Sequence, residues 1–342
     1  MFGTIIPVMP FRPITPSSIF PWIIRLPLLV SLGWYLICTL SPPGSGGIVR
    51  DVSFPPGSGI RKLAQELETT GIIRSRLHFI LMTRLRGQAH RLKAGDYRLN
   101  DGMTPGDIIR KISAGEVDYR RFALPEGYSI FQAAEILEQK GYFKRDEFLA
   151  VCRDRELLKR HGIHAESAEG YLHPATYNMT ISGGVRELVE QMLKQSGEVH
   201  ERMNIMNGSG SFKRHDILTL ASIIEKEAVS PEEKPLISSV FHNRLRIGMP
   251  LQSDPTAVYG VRTFGGKVRA ADLKRQTPYN TYLNRGLPPG PIGNPGSDAI
   301  QAALQPASSQ YLYFVARQDG THQFSRSLEE HNRAVATYLK RN

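Results

Sequence analysis

The chain has 342 residues, with 43 Lys and Arg against 32 Asp and Glu for a formal charge of +11, and is 41% hydrophobic and 22% charged. These proportions exclude a disulfide-knit miniprotein, a collagenous repeat and a disordered tail, and the length allows two or three domains. The positive surplus points to an anionic partner: nucleic acid, lipid headgroups or an acidic polymer.

The first 47 residues hold no Asp, Glu or Lys and only Arg12 and Arg25, so a surplus of +9 belongs to the remainder. Residues 19–40 are almost wholly apolar, interrupted by Pro21, Arg25 and Pro27. The uncharged part, 26–40, is short for a bilayer, which needs about 20 residues. Arg25 can snorkel to the near interface, and Trp22, Trp34 and Tyr35 suit interfacial belts. The stretch reads as an uncleaved anchor, with a cleaved signal segment or a buried core helix as alternatives. Residues 41–47, Ser-Pro-Pro-Gly-Ser-Gly-Gly, lack an A-x-A-like cleavage pattern and read as a linker. Arg12 and Arg25 ahead of the span place residues 1–18 in the cytoplasm and the bulk of the chain outside it. Cys38 and Cys152 lie far apart and suggest no disulfide. The ten His residues form no ligand-spaced cluster, so no metal site is expected.

A repeat emerges at an offset of 70 residues: Phe54-Pro55-x-Gly57-x-x-Ile60 recurs as Leu124-Pro125-x-Gly127-x-x-Ile130. Ala64, Leu67, Glu68 and Gly71 recur as Ala134, Leu137, Glu138 and Gly141. Each copy predicts a strand, a tight turn and a helix stopped by glycine. Residues 92–99 alternate like a strand, and Thr104-Pro105 caps a helix over 106–113 that Gly115 closes. Together they predict a βααβ-like module over 48–120. Residues 142–207 read as mostly helical, with an aromatic cluster from Glu169 to Tyr177 that includes His173, and 207–211 as a flexible break.

Residues 215–229 predict a helix with Ile217, Leu220, Ala221, Ile224 and Ala228 on one face. Glu225 and Glu227 lie on the two borders of that stripe and Lys226 points away. Leu218 and Ala221 give Glu225 a partly apolar setting suited to a general acid. A Glu-Lys-Glu run is more often a solvated edge, and the helical wheel leaves both readings open. A second helix is predicted from a Ser230-Pro231-Glu232-Glu233 capping box to Arg246, with Gly248 as its stop. The loops that follow hold Gln252, Ser253 and Asp254, then Tyr279, Asn280 and Tyr282, among fixed prolines and glycines. They fit either a substrate wall for sugars or a rigid packing loop.

Three blocks then resemble the MltG/YceG-like endolytic murein transglycosylase family: Leu220-Ala221-Ser222-Ile223-Ile224-Glu225-Lys226-Glu227, Ser239-Val240-Phe241-His242-Asn243-Arg244-Leu245 and Met249-Pro250-Leu251-Gln252-Ser253-Asp254-Pro255-Thr256. Glu169-Gly170-Tyr171-Leu172-His173-Pro174, Tyr279-Asn280-Thr281-Tyr282, Gly286-Leu287-Pro288-Pro289-Gly290-Pro291-Ile292, Asn294-Pro295-Gly296 and His331-Asn332 follow the family order, over about 48–340. His173 departs from the pattern, since relatives often carry an aromatic before the proline. The resemblance implies an α+β fold: a single transmembrane helix (19–40), a linker (41–47), a small LysM-like module (48–120) and a mixed α/β catalytic domain (121–342).

It further implies an endolytic lyase that cuts the β-1,4 bond between N-acetylmuramic acid and N-acetylglucosamine within nascent strands. The product is a 1,6-anhydro end that terminates elongation. The catalytic acid maps onto the first glutamate of the run, Glu225. Glu227, Gln252, Asp254, Tyr279, Asn280, His173 and Tyr177 are expected to bind or orient sugar, with no cofactor and no metal. The expected location is a bacterial inner membrane with the catalytic domain periplasmic. Expected partners are peptidoglycan glycan strands, the membrane and peptidoglycan synthases of the penicillin-binding class, with no nucleic acid. The competing reading is a non-catalytic, membrane-anchored wall-binding scaffold. Nucleic-acid binding is a third reading that lacks an aromatic-basic motif.

Overall fold

The computed structural model describes residues 16–261 and 268–338. Most of the expected cytoplasmic segment 1–18 lies outside the described residues. The chain divides into two compact units, one comprising residues up to Arg120 with Thr180–Ser182, the other Arg121–Met179 with Gly183–Asn342.

The first unit opens with helix α1 (Pro16–Leu40). Among the described residues no helix is long and apolar enough to cross a membrane. The last turns of α1 are packed: Cys38 is buried, Thr39 Oγ1 lies 2.9 Å from His78 Nε2, and the Tyr35 ring meets the His78 ring edge-on at 5.0 Å. Residues 41–47 are tied down, because buried Asp101 must satisfy its polar groups. Its carbonyl accepts from Gly44 N at 2.8 Å and its carboxylate from Ile48 N at 3.0 Å, while Arg74 donates to Pro42 O at 2.8 Å.

Strand β1 (Val49–Phe54), helices α2 (Ile60–Thr69) and α3 (Arg76–Leu85) and strand β2 (Gly95–Asn100) follow in βααβ order. The two strands pair antiparallel from Val49 opposite Asn100 to Phe54 opposite Gly95. Val52, Leu63, Leu67, Phe79, Tyr97 and Leu99 fill the space between sheet and helices, joined by Ile108, Ile109 and Ile112 of helix α4 (Pro105–Ala114). That helix is closed at both ends as its sequence predicts. Thr104 and Asp107 form a reciprocal capping box, and Gly115 takes a left-handed φ of 77°. Thr104→Ala should therefore cost about 1 kcal/mol of unfolding free energy in a urea titration.

Strand β3 (Tyr119–Ala123), most of which belongs to the second unit, pairs with β4 (Thr176–Thr180). The helices α5 (Ile130–Gln139), α6 (Arg145–Val151) and α7 (Arg155–Arg160) lie between them in the chain, and α8 (Val185–Arg202) follows. β4 interrupts the helical run expected for 142–207, its alternation burying Tyr177 and Met179. Residues 207–211 form a tight turn rather than a flexible break: Ser209 and Phe212 exchange backbone hydrogen bonds, and a Cβ on Gly208 would lie 2.3 Å from Phe212 O.

The centre of this unit is α9 (Arg214–Glu227), whose Ile217, Leu218, Leu220, Ala221, Ile223 and Ile224 are all buried. Packed against it are α10 (Lys234–Arg246), α11 (Asp254–Val258) and α13 (Ser297–Leu304), while α12 (Ala270–Leu273) lies on α11, and the hairpin β5 (Tyr313–Ala316) and β6 (His322–Ser325) touches α10 and carries helix α14 (Leu328–Tyr338). The expected capping box at Ser230 is absent. Its side chain makes no cap, Pro231–Glu233 form a 3-10 turn, and the α-helix starts at Lys234 with Pro235 in its first turn. This frees Glu233 and Lys234 for other partners.

Candidate functional site

Residues i and i+2 of a helix point about 200° apart, so the last turn of α9 sends its two glutamates into different surroundings. Glu225 faces α10 and the start of α13. Its Oε1 lies 2.8 Å from Lys234 Nζ, its Oε2 accepts from Gly296 N at 2.9 Å, and its side chain is 8% exposed. The Lys234 side chain is 5% exposed, and its ammonium is 3.8 Å from Glu126. Gly127 seals this pocket: a Cβ there would sit 3.2 Å from Glu225 Cγ, and the backbone φ of 73° favours glycine.

Glu227 opens into a cleft of about 460 Å3, lined also by Arg244, Gln252, Asp254, Tyr282, His322 and His331. Burial pushes its carboxyl up to about 7, helped by nearby Asp254 and opposed by a hydrogen bond from Ser253 and by Arg244. Ser253 Oγ donates to Glu227 Oε1 at 2.5 Å. The serine is fixed in turn: its N–H donates to Thr281 Oγ1 at 3.0 Å, and its carbonyl accepts from Thr256 Oγ1 at 2.6 Å. A carboxyl whose burial raises its affinity for a proton, held by a fixed hydroxyl beside a polar cleft, can give and retake a proton.

The walls of the cleft are rigid. Arg244 spends its donors on carbonyls, Nε to Leu312 O at 2.6 Å and Nη1 to Leu251 O at 2.9 Å, while its guanidinium lies 5.2 Å from the Tyr313 ring centre. Tyr282 donates to Asp254 Oδ1 at 2.6 Å. On the hairpin side, Glu233 grips His322, accepting from its N–H at 2.8 Å and meeting ring Nδ1 at 2.8 Å. Gln252 has a φ of 51°, a left-handed conformation that costs a non-glycine residue about 1–3 kcal/mol and tends to mark functional loops. Gln252→Gly should leave the denaturation midpoint unchanged or raise the unfolding free energy by up to about 1 kcal/mol, while turnover falls about tenfold through lost positioning. Parallel melts and rate assays check this trade-off.

The structure thus gathers Glu227, Gln252 and Asp254 of the expected site residues. Glu225, expected as the acid, does not line that cleft; its carboxylate faces Lys234 and Gly296 N. Tyr279 lies against Tyr259 with ring centres 4.6 Å apart, and Asn280 is fully buried, donating to Leu273 O at 3.0 Å and Arg275 O at 2.8 Å. Tyr177 is a core residue whose hydroxyl donates to His173 O. None of these four lines the cleft of Glu227. The Asn280 amide and the Tyr177 hydroxyl are consumed within the fold, which composition alone does not reveal. Tyr282, His322 and His331 join the site from segments whose functional weight rests on tertiary contact. Among the described residues no group of His, Cys, Asp and Glu is placed to hold a metal ion.

A second buried carboxyl organises the unit from inside. Glu169, 3% exposed, accepts from Ile130 N at 3.1 Å, Tyr259 Oη at 2.9 Å and Asn294 Nδ2 at 3.3 Å. Burial pushes it up to about 8, against those hydrogen bonds and the nearby Lys226 charge. Its folded value exceeds the unfolded 4.5, so its contribution to stability is full below about pH 4.5 and is lost as pH rises through 8. Relative to the native chain, Glu169→Gln should therefore gain stability steadily between pH 5 and 8, measured by urea denaturation at each pH.

Residues 52–337 match the YceG-like family, so the chain belongs to that family. It is 32% identical over 305 residues to the endolytic murein transglycosylase of Bacillus subtilis, covering 84% of this chain and 84% of the relative. The enzyme of the same name from Streptococcus pneumoniae strain D39 is 31% identical over 320 residues, and the match spans 84% of this chain but 58% of that longer protein. A 2.6 Å crystal structure of a yceG-like protein from Listeria monocytogenes is similar in fold, with a TM-score of 0.59 and 33% identity, over 84% of this chain and 98% of that one.

Proposed function

We infer that this chain is an endolytic peptidoglycan lytic transglycosylase that cleaves the β-1,4 bond following N-acetylmuramic acid within glycan strands and leaves a 1,6-anhydro end. The inference rests on family membership together with one observation: a carboxyl, Glu227, held by the Ser253 hydroxyl at a polar cleft large enough for sugar rings, where burial raises its proton affinity. The acid role is assigned to Glu227 in place of Glu225. Protonated Glu227 donates to the glycosidic oxygen as the bond to C1 breaks, and the resulting carboxylate takes the proton from the C6 hydroxyl of the same muramyl sugar. That oxygen closes on C1, so no water is consumed and a second catalytic carboxylate, which ordinary glycosidases need, has no task. Gln252, Asp254 and Tyr282 hold the sugar, and Ser253 orients the acid. Glu225 acts as the counter-ion of Lys234, while Tyr279, Asn280, His173 and Tyr177 shape the unit around the site.

The strands so cut are nascent ones, and the cut ends their elongation, which fits an enzyme held at the membrane beside a peptidoglycan synthase. The anchor is assigned to 19–40, the LysM-like module to 48–120, whose βααβ order supports it, and the catalytic domain to 121–342. The chain bulk is then periplasmic. The test uses purified full-length protein and uncrosslinked glycan strands. Mass spectrometry should find anhydromuramyl ends on internal fragments. Strands bound but uncut would favour the scaffold reading.

A further inference from the structure

Helix α3 presents a stripe that the βααβ core does not use. Leu77, Leu81 and Leu85, at i, i+4 and i+8, are 73%, 48% and 69% exposed, while His78, Phe79 and Met82 on the other face are buried. The flanking sequence is uniformly cationic. Between Glu68 and Asp96 there are Arg74, Arg76, Arg84, Arg86, Arg91 and Lys93 and no acidic residue. Exposed leucines beside a block of like charge are the composition of an amphipathic surface helix.

Two contacts fix where this stripe lies. His78, adjacent to Leu77, is hydrogen-bonded to Thr39 at 2.9 Å and packs on Tyr35 at 5.0 Å, and Arg74 ties down Pro42 at 2.8 Å. The first turn of α3 is therefore level with residues 35–42, where the apolar stretch ends. The same stretch shows its own lipid-like face, with Leu32 and Trp34 more than half exposed and Leu36 and Ile37 nearly so.

We propose that α3 is a second membrane contact: it lies in the headgroup region of the leaflet from which α1 emerges, with Leu77, Leu81 and Leu85 in the acyl boundary and the surrounding arginines on anionic lipid. The proposal rests on residues 19–40 being an anchor. Given that, the α1–α3 contacts bring the start of the stripe to the level at which the apolar stretch ends. Six basic side chains, of which Arg76 also pairs with Glu68 at 3.6 Å, are then concentrated where an anionic leaflet attracts them, and the module is oriented against the membrane instead of swinging on a linker.

The test places a single fluorophore on the stripe. Trp22 and Trp34 are replaced by Phe in the full-length chain, and Leu81→Trp is added. The protein is reconstituted into vesicles of phosphatidylcholine and phosphatidylglycerol, with and without phosphatidylcholine brominated high on the acyl chain. Emission from the introduced tryptophan should fall about twofold with the brominated lipid, and Leu85→Trp should do the same if Leu81→Trp does not fold. Flotation with the vesicles without quenching overturns the proposal and leaves the anchor intact. Failure to float overturns the anchor and this proposal with it. Unquenched emission that shifts to the blue only as protein concentration rises would assign the stripe to a second copy of the chain, which also overturns it.

Discussion

Glu227→Gln should lower the rate of anhydromuramyl formation by about 1,000-fold, within the range that removal of a general acid–base group produces. Glu225→Gln should retain native turnover to within about tenfold at a temperature where it remains folded, because that side chain faces Lys234 and not the cleft. The amide introduced by Glu227→Gln keeps a hydrogen-bond acceptor for Ser253 but has no acidic proton to give, so binding of glycan should survive while kcat collapses. The native pH profile provides an independent readout. With Glu227 pushed up to about 7 by burial, kcat/KM should be near its maximum at acidic to neutral pH and fall about tenfold per unit well above 7, as the required proton is lost. Ser253→Ala removes the hydrogen bond that favours the ionised form, so the limb should move to higher pH. Equal loss in both glutamine variants, or a limb that ignores Ser253, would sink the assignment.

That assignment marks the boundary of what the residues disclose in one dimension. The repeat, the capped helix at Thr104 and the glycine stops at Gly115 and Gly248 depend on neighbours within a few residues, and each is found in the fold. The two glutamates also lie on opposite borders of an apolar stripe, as helical geometry requires. Which border faces the polar cleft depends on partners elsewhere in the chain. Lys234, at the start of a helix that begins one turn later than its Ser-Pro-Glu-Glu signal suggests, pairs with Glu225, and Ser253 ties Glu227 to a loop that Thr281 fixes. Polar residues in proline-rich loops pose the same problem. Gln252 and Asn280 look equivalent in sequence, yet one is strained toward the cleft and the other spends its amide on two backbone carbonyls.

The opening charge surplus also divides by location. The basic block from Arg74 to Lys93 belongs to the first unit, whereas the cleft in the second unit is balanced, with Glu227 and Asp254 beside Arg244. Catalysis of a strand bearing carboxylates does not need a strongly positive cleft when the acid itself must stay protonated. A dense positive field would favour its ionised form and lower its value from 7.

The largest stability effect is expected at the ion pair between Glu225 and Lys234. Glu225→Ala leaves the Lys234 ammonium buried, with Glu126 at 3.8 Å its remaining acidic neighbour, and should cost about 3–5 kcal/mol, the usual penalty for breaking a buried pair from one side. For a unit of this size that corresponds to a fall in Tm of about 6–20 °C by calorimetry. Lys234→Met alone should be comparably damaging, since Glu225 would keep the Gly296 N–H but lose its cation. The double variant Glu225→Gln with Lys234→Met removes both charges and fills the space, so it should recover most of the loss while still cleaving glycan. Such recovery with activity intact would identify the pair as a structural contact between the end of α9 and the starts of α10 and α13 that neutral packing can replace. If instead the refolded double variant is inactive, Glu225 takes part in the reaction itself and the structural reading is wrong.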